Sequence, residues 1–124
     1  MATTVDSRRE TVSLIGSDKV EGTAVYGAER QKMGTIKRVM IDKIGGKVSY
    51  EVLSFGGFLG IGDEFYPLPW QSLKYDTNLD VYVTGLTESA LEGAPKYANE
   101  SAWDWADPHT ARSIDDYYAN PRLS

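Results

Sequence analysis

Between Ser54 and Trp70 the chain reads Ser-Phe-Gly-Gly-Phe-Leu-Gly-Ile-Gly-Asp-Glu-Phe-Tyr-Pro-Leu-Pro-Trp, with four glycines in the seven positions 56–62. So dense a run of glycine is incompatible with a regular helix or a long strand, because each glycine loses more conformational freedom on ordering than any other residue. Phosphate-binding loops are also glycine-rich, but they open a helix or end in Gly-Lys-Ser/Thr. Here the glycines lead into Asp63-Glu64-Phe65-Tyr66-Pro67, which is acidic and extended. The tetrad Gly57-Phe58-Leu59-Gly60 likewise lacks the basic residues of a nucleic-acid-clamping loop. The segment therefore reads as a sharply bent crossing between two strands. Phe58, Leu59 and Ile61 either plug the end of a barrel or stand out as a contact patch.

The flanking sequence supports a β fold. From Leu14 to Gly85 short runs with period two, rich in β-branched and aromatic residues, alternate with glycine breaks. Strands are expected around Val20 and Val25-Tyr26, over Gly34 to Asp42, over Lys47 to Ser54, over Glu64 to Leu68 and over Leu79 to Thr84. In the third of these, Val48, Tyr50 and Val52 share one face and Ser49 and Glu51 the other. Gly45-Gly46 is the turn of a hairpin. Pro67 and Pro69 require the Glu64 to Leu68 strand to be short or to lie at a sheet edge, and Trp70 fills a large apolar space near its end. Five or six short strands in about seventy residues imply a small barrel or sandwich.

The C-terminal part is different in kind. Thr87 is a candidate N-cap for a short helix through Glu92, stopped by Gly93 and Pro95. An aromatic arm with Tyr97 and Trp103-Asp104-Trp105 follows, then a second short helix from a Ser113 cap to Tyr118. Three units are expected: a tail over 1–13, a barrel over 14–97 and an arm over 98–124.

The chain has 124 residues, enough for one core, and its 41% hydrophobic and 25% charged content is that of an ordinary globular protein. A net charge of −5 argues against capture of nucleic acid, which needs a concentrated positive field. The charge is nevertheless uneven. Arg30, Lys32, Lys37, Arg38, Lys43 and Lys47 lie close together, whereas Glu100, Asp104, Asp107, Asp115 and Asp116 crowd the end. Two solvated faces explain this, and so does an acidic tail packed on the basic hairpin of its own or a neighbouring subunit. Cysteine is absent, and no stretch approaches the roughly 20 apolar residues of a membrane span. A cytoplasmic location is the expectation.

No catalytic constellation emerges. Asp63-Glu64, Asp104 with Asp107, and Asp115-Asp116 are paired carboxylates without a partner set, and His109 is the only histidine. Solvation or helix capping accounts for them. No enzyme activity, cofactor or metal is expected.

These residues resemble the PRC-barrel domain family, found as the cytoplasmic part of the photosynthetic reaction-centre H subunit and as the C-terminal domain of the ribosome-maturation factor RimM. The resemblance runs from about Leu14 to Tyr97. It is carried by Val20-Glu21-Gly22-Thr23-Ala24-Val25-Tyr26, by Gly34-Thr35-Ile36 through Ile41-Asp42, by Gly46-Lys47-Val48-Ser49-Tyr50, and above all by Ser54 to Trp70 with Leu73-Lys74-Tyr75-Asp76 behind it. The tail, with Leu91-Glu92-Gly93-Ala94-Pro95 and Trp103-Asp104-Trp105, looks like that of small stand-alone bacterial members. The resemblance implies a compact, mainly β barrel used as a non-catalytic assembly or interaction module. Its expected partner is a second copy (a homodimer) or another protein, met through Phe58, Leu59, Ile61, Trp103 and Trp105. One alternative is a ribosome- or RNA-associated factor with Lys37, Arg38, Lys43 and Lys47 as its basic face. The other is a small-ligand barrel with its mouth near Tyr66 and Trp70.

Overall fold

The computed structural model describes residues 14–56, 63–99, 101 and 103–119. Ahead of the first strand comes a helix that the period-two reading missed, α1 (Ser17–Val20), one turn long with Val20 buried. Thr23 Oγ1 donates to the Lys19 carbonyl, and Gly22, at φ +89°, swings the chain into β1 (Ala24–Tyr26). A side chain at that φ would be strained, so the glycine is required by the turn.

β2 (Lys32–Ile41) and β3 (Val48–Gly56) form the long hairpin, and register shifts between Ile36 and Arg38 and between Met40 and Ile41 add to its twist. Its tip is closed by Asp42 N donating to Lys47 O (2.8 Å) and Gly46 N donating to Asp42 O (2.8 Å), with Gly46 at φ +73°. β4 (Asp63–Pro69) runs back along β3, and the 3-10 turn Trp70–Ser72 leads to β5 (Leu73–Asp76) and β6 (Val81–Thr84).

The six strands make one curled sheet in the order β4-β3-β2-β1-β6-β5. All neighbours are antiparallel except β1 and β6, which pair in parallel at Val25↔Tyr82 and Tyr26↔Val83. The mainly β architecture expected from the strand count is present, as a six-stranded curled half-barrel. One strand, β5, escaped the pattern analysis because it has only four residues and does not alternate: Leu73 is buried, whereas Lys74 and Tyr75 are exposed. The last strand starts at Val81 rather than Leu79. Asp76 Oδ1 accepts from Asn78 N (2.9 Å) and Leu79 N (3.2 Å), which keeps Leu79 in a turn, 67% exposed.

The core is formed by Val25, Met33, Ile36, Leu53, Tyr66, Leu68, Tyr82 and Leu91, among others. At its edge, Gly34 passes so close to β3 that an added Cβ would collide with the Ser54 carbonyl. In β3 Ser49 is exposed near the hairpin tip, but Glu51 on the same face turns into the core. Glu51 is wholly buried, as are Val52 and Leu53, so this strand is covered on both sides.

α2 (Glu88–Glu92) has the expected Thr87 cap, whose Oγ1 accepts from Ala90 N at 3.2 Å, and it buries Ala90 and Leu91. α3 (Pro108–Tyr118) starts five residues before the predicted helix. Its cap is Asp107, which accepts from His109 N (2.9 Å), with Pro108 at the first position where a missing N–H costs nothing. Ser113 is interior to the helix, and its Oγ donates to Thr110 O (2.8 Å). α3 packs against β4, with Ile114 fully buried, and Tyr117 OH donates to the Ala90 carbonyl of α2. The helix thus ties one end of the curled sheet to the segment that follows the other. Among the described residues no helix is long and apolar enough to cross a membrane.

Candidate interaction surface

β4 is an edge strand, and its free edge is occupied rather than open. Phe65 exchanges both backbone hydrogen bonds with Tyr97, N to O at 2.8 Å and O to N at 3.0 Å. Those groups point away from β3, and so by period two does the backbone at positions 67 and 69. Both positions are proline, which has no N–H to leave unpaired. Pro69 O accepts from Ser72 Oγ at 2.8 Å. The edge that a second chain would need for strand addition is therefore blocked at this strand.

The pairing with Tyr97 also brings the aromatic arm onto the outer face of β3 and β4. Phe65 and Tyr97 lie 5.5 Å apart between ring centroids, Tyr97 stacks on Trp103 at 5.1 Å, Trp103 meets Trp105 edge-on at 5.9 Å, and Trp105 reaches Tyr50 at 5.6 Å. These five rings form one continuous belt. Tyr50 OH donates to Asp115 Oδ1 (3.0 Å), anchoring α3 at the far end of the belt. Burial, then the hydrogen bond and charge of Asp115, push the Tyr50 phenol up to about 12.

Of the residues expected to make contacts, Trp103 and Trp105 are together on this belt, half-buried against their own barrel. Phe58, Leu59 and Ile61 lie outside the described residues. Lys37 is exposed with its Nζ 5.6 Å from the Phe65 ring centroid, Arg38 is half-buried, and Lys43 and Lys47 are exposed at the hairpin tip. The acidic end does meet the hairpin strand, through the Tyr50 to Asp115 hydrogen bond.

The residues expected at a ligand mouth pack on the core, Tyr66 buried and Trp70 half-buried. Tyr66 belongs to the core cluster, and Trp70 lies against Tyr82 with centroids 5.4 Å apart. Glu64 accepts from Tyr66 OH (3.3 Å) and pairs with Lys96 (3.5 Å). Asp104 Oδ1 accepts from Ala106 N (2.9 Å), so Asp104 and Asp107 shape the arm and the start of α3, the capping role expected of them. His109 is exposed. Among the described residues no three His, Cys, Asp or Glu side chains gather as a metal site.

Sequence reasoning missed Glu51. Its carboxylate is buried in the core with no hydrogen-bond partner among the other described residues, and desolvation, only partly offset by its own backbone N–H, holds its pKa well above the ordinary range. Burial raises the Tyr82 and Tyr118 phenols, and the charge of Glu51 adds to the rise in both. Its place between Tyr50 and Val52 in a hydrophobic run was the available signal: a strand covered on both faces reads as nearly continuous apolar residues, with any charge in it buried.

Comparison with known proteins supplies a family. The PRC-barrel domain model matches residues 14–90. Among solved structures, a 16S ribosomal RNA processing protein, RimM, from Pseudomonas aeruginosa is similar at 18% identity and a TM-score of 0.40, over 59% of this chain and 44% of that one. The chain thus spans less than half the length of that protein. No curated protein matches.

Proposed function

The chain belongs to the PRC-barrel domain family, and from that premise we propose that it is a non-catalytic, cytoplasmic interaction module that assembles with a second copy of itself. The observation that carries the reading is the aromatic belt from Phe65 to Tyr50. Trp103 and Trp105 keep part of their surface on the outside, and such rings combine a large apolar area with few rotatable bonds. Phe58, Leu59 and Ile61 are proposed to extend the contact. Light scattering at micromolar concentration tests the reading: the wild type is expected to be a dimer, weakened by Trp103→Ser and Phe58→Ser. A monomer, unaltered by either substitution, would overturn it.

A second reading, association with ribosomes or RNA, is favoured by Lys37 lying over Phe65 next to Tyr97, since a cation beside stacked rings suits an unpaired base. The net charge of −5 opposes it. Co-sedimentation with ribosomes at low salt, lost with Lys37→Glu, would support it, and absence from the ribosomal pellet would remove it.

A further inference from the structure

The β2–β3 hairpin outruns the rest of the sheet. β1 last pairs with β2 at Thr35, and β4 last pairs with β3 at Tyr50, so Ile41 and Val48 are paired only with each other. The segment from Ile41 to Val48 is a projecting finger. At its tip Ile44 is 97% exposed, and Ile41 at its base is 52% exposed. The turn is not loose: Asp42 Oδ1 accepts from Ile44 N (3.1 Å), in addition to the two backbone bonds that close the hairpin. A preordered apolar tip flanked by Lys43 and Lys47 loses little conformational freedom when it docks.

A receptor of matching chemistry lies at the same end of the sheet. A cavity of about 530 Å³ opens between the end of β4, the 70–72 turn, the end of β6 and α3. Pro69, Leu86, Tyr118 and Ala119 make its apolar surface, and Asp115 contributes negative charge, with exposed Asp116 next in the helix. Its size is within the range of pockets that bury small groups, about 300–1,000 Å³. The chain cannot fill it with its own Ile44, which the fold leaves almost wholly exposed. Because Pro69 pairs with Tyr50, cavity and finger share one end of the molecule, and a twofold axis at that end can satisfy both contacts at once.

We infer that two copies clasp reciprocally at this end, each placing Ile44 in the other's cavity with Lys43 and Lys47 against Asp115 and Asp116 of the second copy. The inference rests on the proposed self-association and gives it a surface distinct from the aromatic belt. The opposite charges orient the encounter, and the isoleucine supplies the buried contact.

Sedimentation velocity over a micromolar to millimolar range tests the clasp with two single variants at exposed positions, Ile44→Asp in the finger and Gln71→Arg at the cavity. Each is expected to raise the dimer dissociation constant by at least about tenfold while leaving the circular dichroism spectrum and melting temperature unchanged. An equimolar mixture is expected to recover part of the association, because the intact finger of the Gln71→Arg chain still finds the intact cavity of the Ile44→Asp chain. Raising the salt concentration should weaken the wild-type dimer. A wild type that stays monomeric overturns the clasp and self-association together. A dimer insensitive to Ile44→Asp but dissociated by Trp103→Ser overturns the clasp alone, as does a mixture with no recovery.

Discussion

Glu51 and Tyr118 bury a carboxylate and a phenol within electrostatic reach of each other, and neither side chain has a hydrogen-bond partner among the other described residues. The carboxylate comes from the middle of β3 and the phenol from the last turn of α3, so the pair joins the sheet to the helix that covers it. Tyr82 of β6 also faces the carboxylate's charge. A charge in this place would be uncompensated, and the fold favours the neutral acid.

Stability should therefore depend on pH through Glu51. Its pKa in the fold lies well above the ordinary 4.5, so its contribution is fully present below pH 4.5 and is lost as pH rises through the raised value. Glu51→Gln should melt close to the wild type at pH 4.5 and above it at pH 8, by an amount on the order of 1–3 kcal/mol. Thermal melts at a series of pH values measure the difference. A gap that shrinks toward alkaline pH would contradict the assignment.

Gly34 tests the close approach of β2 to β3. Gly34→Ala puts a methyl group against the Ser54 carbonyl, a backbone atom that cannot swing aside. The expected loss is about 2–4 kcal/mol, visible as a lower midpoint in urea with an unchanged slope.

Pro67 tests the sheet edge. Pro67→Ala restores an N–H on the outward side of β4 at a fully buried position. An unpaired buried donor costs about 1–3 kcal/mol. Chemical denaturation should show that loss, and an unaffected variant would mean that the new donor finds an acceptor.

Ile114 tests the attachment of α3. It is the buried residue of the helix, at 0% exposure. Ile114→Ala should cost about 2–4 kcal/mol if the whole molecule unfolds together. Hydrogen exchange distinguishes the alternatives: faster exchange confined to α3 would show that the helix undocks while the sheet stays folded.

Much of this architecture was legible from residue order. The period-two runs placed β2, β3 and β4 to within a few positions, Gly45-Gly46 marked the finger turn, and Pro67 with Pro69 marked a strand that had to be short or at an edge. Thr87 was recognised as a cap because a side-chain oxygen before a helix has a local partner three residues on. β5 was hidden because its burial does not alternate, with Lys74 and Tyr75 both exposed, whereas the equally short β6 alternates. Ser113 and Asp107 both suit a cap, and Pro108 at the first helical position decides for Asp107. The belt from Phe65 to Tyr50 joins residues that only the Phe65 to Tyr97 pairing brings together. Alternation tells the two faces of a strand apart but does not say that both are covered, so it leaves the burial of Glu51 open.

The parallel pairing of β1 with β6 sets the order in which the chain can complete itself. A ribosome releases β1 to β4 first, and these can associate as a meander of neighbours in sequence. β1 then waits with one side unpaired until Tyr82 arrives opposite Val25, 57 positions later (82 − 25). Two halves of the sheet are thus held together across a seam of short strands, one of them only three residues long. A cut in the chain between β4 and β5 would leave two pieces whose sheets meet only at that seam.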